Sequence, residues 1–125
     1  MPRATLSIPP AAEHVRTARL VAVAAARRAG LDEESVDDVR LAVGETVARA
    51  VVRCGAGAGA VAGDVDLVLR DEGDRFVVEV TDASDPAVPD ADDGVALALV
   101  RALVPDVAVD GSHVTLTWPL AARPS

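Results

Sequence analysis

The sequence predicts an α+β fold, a two-layer sandwich with helices on one face of a mostly antiparallel sheet. Two patterns carry this prediction. In residues 65–81, Val65, Leu67 and Leu69 alternate with Asp66, Val68 and Arg70. Phe76, Val78 and Val80 then alternate with Val77, Glu79 and Thr81. Separated by Asp71-Glu72-Gly73-Asp74, these read as a β-hairpin with one covered face and one wetter face. In residues 33–54, Val36, Val39, Val43, Val47, Ala50 and Cys54 recur at helical spacing. Each pattern leaves an apolar side to be buried, and each covers the other.

The remaining elements follow in order. Ala4–Ile8 is a short extended segment ended by Pro9-Pro10. Residues 11–29 are rich in Ala and Arg, both strong helix formers, and Val15, Ala18, Ala22, Ala25 and Ala29 keep one face small and apolar. Gly30 suits the end of that helix and Asp32 the N-cap of the next, with Glu33 and Glu34 in its first turn facing the helix dipole. The second helix runs from about Glu33 to Arg53, and the Gly/Ala run 55–63 is a flexible connection. After the hairpin, residues 82–93 form a polar loop with two prolines. Asp92 or Asp93 is expected to cap a third helix with Ala96, Leu99, Val100 and Leu103 as its apolar stripe, stopped by Pro105. Val107 and Val109 make a short strand, Asp110-Gly111 turns the chain, and Val114, Leu116 and Trp118 form the last strand, ended by Pro119. The order is β-α-α-β-β-α-β-β, read as a single domain over residues 1–125 with no internal repeat.

Composition excludes several classes of function. Half of the residues are hydrophobic, so a core can form, and the net charge is −8. That balance argues against nucleic acid and against an anionic membrane surface, both of which need clustered cations. The charge is uneven: residues 1–53 sum to +1 and residues 54–125 to −9. All 12 basic residues are arginine, and Lys, Asn, Gln and Tyr are absent, a composition we read as the codon bias of a GC-rich genome. No apolar run reaches membrane-spanning length and no basic-then-apolar leader is present, so the cytosol is the expected compartment. Cys54 stands alone, which rules out an internal disulfide, and its place on the apolar stripe suits a small buried thiol. His14 and His113 are far apart, and no Cys/His spacing suggests zinc.

Chemistry enters at Leu41-Ala42-Val43-Gly44-Glu45-Thr46-Val47-Ala48-Arg49. Glu45 and Arg49 lie one turn apart on the same helix face, away from the apolar stripe and beside Leu41 and Val52, where they form the wall of a site. Read alone, they are a helix-surface ion pair worth about 0.2–0.5 kcal/mol, in the favourable order with the acid first. Read alone, too, Asp82 is a turn residue after a strand, Gly94 a loop-to-helix junction and Ser112 a hairpin hydroxyl.

The element order and the motif positions resemble the anti-sigma-factor serine kinases of the GHKL (histidine kinase-like) ATPase superfamily, from about residue 4 to residue 120. The stretches Leu41–Glu45, Leu99–Leu103 and Val114–Leu120 carry most of the likeness. The family's first motif is Glu-x-x-x-Asn, in which the glutamate polarises the attacking hydroxyl and the asparagine holds Mg²⁺ under the ATP phosphates. The resemblance makes Glu45 the general base and puts Arg49 in the place of the Mg²⁺-binding asparagine. A guanidinium has five donors and no acceptor, so Arg49 cannot ligate a metal; it is expected to pair with Glu45 instead. The second motif, Asp-x-Gly-x-Gly, survives as Asp82-Ala83-Ser84-Asp85-Pro86, with the adenine-binding aspartate kept as Asp82 and both glycines lost. The third, Gly-x-Gly-Leu, reads Gly94-Val95-Ala96-Leu97, with Ala96 for the second glycine that lets backbone amides reach phosphate. Ser112 keeps a hydroxyl where the family has a Gly-Thr pair near the adenine.

The resemblance therefore implies a preserved scaffold around an altered ATP pocket made of Asp82, Gly94, Ala96 and Ser112. It points to a regulator that holds a sigma factor or a STAS-type anti-sigma antagonist, with ATP binding and kinase activity weak or lost, and with helices that serve homodimers in the family. The alternative is an active serine-protein kinase that phosphorylates a STAS-type antagonist with ATP and Mg²⁺. A third reading, a domain with an unrelated small-molecule role, stays open at this point.

Overall fold

The computed structural model describes residues 2–55, 63–85, 87–90 and 94–121. Five strands form one antiparallel sheet: β1 (Arg3–Ile8), β2 (Val65–Asp71), β3 (Arg75–Thr81), β4 (Asp106–Asp110) and β5 (His113–Pro119), in the spatial order β1-β2-β3-β5-β4. Three α-helices pack against it: α1 (Val15–Ala29), α2 (Glu33–Cys54) and α3 (Val95–Leu103). The fold is thus α+β in the predicted element order.

The helix boundaries follow from local chemistry. α1 starts later than the sequence suggests, because Ala12–His14 form a 3-10 turn before it. Gly30 ends it in the left-handed region at φ 96°, which costs a glycine nothing. Asp32 caps α2 by accepting the Ser35 backbone N–H at 2.8 Å, and this bond holds its carboxyl below the usual carboxylate range. Gly94, not an aspartate, is the N-cap of α3, at φ 83° and with no side-chain cap bond. The expected caps Asp92 and Asp93 lie outside the described residues, as does most of the Gly/Ala connection, residues 56–62.

The core lies between the helices and one face of the sheet. Val36, Val39, Val43, Val47, Ala50 and Cys54 are all buried, so the predicted stripe of α2 is the observed one. It meets Val65, Leu67, Leu69, Phe76, Val78, Val80, Val114, Leu116 and Trp118 from the inner sheet face. On α1 the buried face is Val15, Ala18, Ala22, Val23, Ala26 and Ala29, with Ala25 only partly covered. On α3 the expected stripe is rotated: Leu99 is 45% exposed, while Val100 is buried and Leu97 and Leu103 pack beside it. The opposite sheet face is lined by polar cross-strand neighbours, among them the Arg70–Glu79 ion pair and the 2.6 Å contact of Thr81 Oγ1 with His113 Nδ1. Val77 also lies on that face and is buried between its register partners Arg70 and Thr117.

Candidate functional site

Helical spacing places Glu45, Ala48, Arg49, Val52 and Arg53 along one side of α2, next to the core stripe. Opposite them stand the loop after β3, the start of α3 and the β4–β5 turn. The cleft between has a volume of about 160 Å³ and is lined by Glu45, Ala48, Arg49, Val52, Arg53, Asp90 and Ala96.

Two arginines dominate this cleft. Arg49 is 8% exposed and Arg53 is 2% exposed, so both charges need partners on the protein. Arg49 Nε donates to Asp90 Oδ1 at 2.8 Å, and its Nη2 donates to the Gly111 carbonyl at 3.1 Å. Arg53 Nη2 donates to the Asp85 carbonyl at 3.1 Å, and Nη1 donates to the Val88 carbonyl while lying 3.5 Å from Asp90 Oδ1. Arg53 Nε makes no hydrogen bond among the described residues and faces Asp82 Oδ2 across 3.6 Å. Together the two guanidiniums tie the 82–90 loop and the β4–β5 turn to α2.

The residues singled out by the sequence are distributed around this clamp. Glu45, Arg49 and Ala96 share the cleft wall. Arg49 does not pair with Glu45; its charge partner is Asp90, because the buried guanidinium turns inward while Glu45 stays half-exposed. Asp82 is buried behind Arg53, and its Oδ1 accepts both the backbone N–H and the hydroxyl of Ser84. Ser112 touches Asp82 through the main chain, its carbonyl accepting the Asp82 N–H at 2.9 Å. Gly94 sits at the head of α3, where its carbonyl accepts the Ala98 N–H at 3.0 Å. Arg53 and Asp90 are the site residues that sequence reasoning missed. Arg53 carried one signal, its place one turn after Arg49; Asp90 carried none, being one of several loop acids.

This donor set does not suit a divalent cation under a triphosphate. Hard cations take oxygen ligands, whereas position 49 offers only guanidinium N–H groups. Asp90 and Asp82 are already held by Arg49 and Arg53, which leaves Glu45 alone, among the described residues, to offer carboxylate oxygen to the cleft. No group of three or more His, Cys, Asp or Glu with metal-holding geometry occurs among the described residues. The cleft is also smaller than the roughly 300–1,000 Å³ usual for small-molecule sites.

The family profile described as the histidine kinase-like ATPase domain matches residues 8–118. The chain belongs to this family. A relative of this histidine kinase-like ATPase domain is the serine-protein kinase RsbW of Oceanobacillus iheyensis, 26% identical over 124 residues that cover 86% of this chain and 78% of that protein. The family's fold is intact here. No helix among the described residues is long and apolar enough to cross a membrane.

Proposed function

We propose that this domain is an anti-sigma-factor-like regulator of the cytoplasm that works by holding a protein partner, either a sigma factor or a STAS-type antagonist, with ATP binding and phosphoryl transfer weak or lost. One observation carries the reading: Arg49, in the place of the metal-ligating asparagine, is buried and bonded to Asp90 and to the Gly111 carbonyl. Phosphoryl transfer depends on positioning and on a cation that neutralises the phosphates. A fixed guanidinium already satisfied by a carboxylate supplies neither. The similarity to a serine-protein kinase supports the general kind of function, and the element order supports the shared scaffold.

The second reading, an active serine kinase, is favoured by Glu45, which lines the cleft with its carboxylate available to polarise a hydroxyl. Calorimetry decides between the two. The regulator reading expects no heat on titration with Mg²⁺-ATP and no phosphate transferred to a STAS-type protein. Stoichiometric Mg²⁺-ATP binding with transfer to a serine of that protein overturns it.

A further inference from the structure

Four of the charged side chains around the cleft satisfy one another: Arg49 with Asp90, and Arg53 with Asp90 and Asp82. Glu45 is the fifth. It makes no hydrogen bond or ion pair among the described residues, yet it lines the same wall. The site is left with one uncompensated negative charge, inside a chain whose net charge is −8. Beside Glu45 the cleft holds Arg49, already bonded to Asp90 and the Gly111 carbonyl, and a set of small apolar side chains. Ala48, Val52 and Ala96 are the apolar part of the wall, next to Arg49, Arg53 and Asp90. Leu41, one turn before Glu45, is 54% exposed, and Leu99, one turn after Ala96, is 45% exposed.

We propose that this cleft receives one cationic side chain of a protein partner, an arginine or lysine whose stem lies along Ala48, Val52 and Ala96 and whose head pairs with Glu45. The assignment rests on the protein-binding reading above. Long basic side chains cover apolar surface with their methylenes and keep the charged head at a polar group, which is the order of surfaces found here. A volume of about 160 Å³ suits a single side chain rather than a nucleotide. A purely apolar occupant would cover Glu45 and leave its carboxylate desolvated and unpaired, which is costly. An anion would meet Glu45 head-on. An arginine gains a two-pronged bond to the carboxylate.

The test uses two capped tripeptides, Leu-Arg-Leu and its neutral isostere Leu-citrulline-Leu, titrated into the full isotope-labelled chain and followed by amide chemical shifts. The arginine peptide is expected to perturb residues 45–52 and 96–99 and to bind at least fivefold more tightly than the citrulline peptide, with Glu45→Gln abolishing the difference. Equal affinity for both peptides, or no perturbation by either, overturns the assignment and leaves the regulator reading standing. Binding of Mg²⁺-ATP to the same amides, measured in parallel, overturns both.

Discussion

At the scale of single residues, the site turns on two buried arginines of α2, Arg49 and Arg53, and on the carboxylate between them. Asp90 is the key to it, because it is shared by Arg49 at 2.8 Å and Arg53 at 3.5 Å. Removing one partner of a buried pair strands the other charge, at about 3 kcal/mol or more. Asp90→Ala is therefore expected to lower unfolding stability by about 3 kcal/mol, read from the urea midpoint. Such a buried cluster is weakly screened, so the loss should persist at high salt. Arg49→Asn removes the guanidinium and supplies a carbonyl oxygen, and on the regulator reading it is expected to raise Mg²⁺-ATP affinity, measured by calorimetry against the parent. Asp32 offers a pH test. Its folded pKa is depressed by the Ser35 N–H, so its contribution is present above the unfolded carboxylate value and lost as pH falls through the folded one. Melting curves between pH 7 and pH 2 should show that loss in the parent and a flatter acid limb in Asp32→Asn, which keeps the cap without the titration.

At the scale of elements, α2 joins the core to the site. One stripe buries Val39, Val43 and Val47 while the neighbouring face carries Glu45, Arg49 and Arg53. Gly44 lies where α1 crosses it, and a Cβ there would come within 2.5 Å of Arg19 Nε. Arg19 is exposed, so its side chain has room to move aside, whereas Gly inside a helix costs about 0.5–1 kcal/mol against Ala. Gly44→Ala should therefore be stabilising by about 0.5 kcal/mol in denaturant titration. α3 shows where periodicity loses its power. Its sequence VALALVRAL is apolar on nearly every side, so two stripes fit the pattern equally well. The structure chooses Val100 with Leu97 and Leu103, and leaves Leu99 to solvent. Val100→Ala should cost about 2 kcal/mol from lost burial, while Leu99→Ser should leave the urea midpoint almost unchanged.

At the scale of the whole molecule, helices on one face of an antiparallel sheet place the loop after β3 against α2 and close the cleft from three sides. Trp118, the sole tryptophan, is 2% exposed on the inner sheet face, with its ring centroid 6.2 Å from that of Phe76. It reports on the layer contact itself. Its emission is expected to shift to the red in one transition that coincides with loss of helical circular dichroism, as for a cooperative unit; two separate transitions would show that the layers come apart independently.

Element order, the inner faces of the hairpin, the stripe of α2 and the caps at Gly30 and Asp32 were legible from the amino-acid pattern alone. These depend on neighbours two to four residues away, which backbone geometry places side by side in any chain of that conformation. That pattern also showed that position 49 could not ligate a metal, since that follows from the chemistry of a guanidinium alone. What Arg49 does instead was set by contacts between distant parts of the chain. Its partners, Asp90 and Gly111, lie 41 and 62 positions further along the chain. Local spacing favoured Glu45, one turn away, but a buried guanidinium gains more from an enclosed carboxylate and carbonyl than from a solvated neighbour. That long-range choice occupies Arg49 and leaves Glu45 open to the cleft.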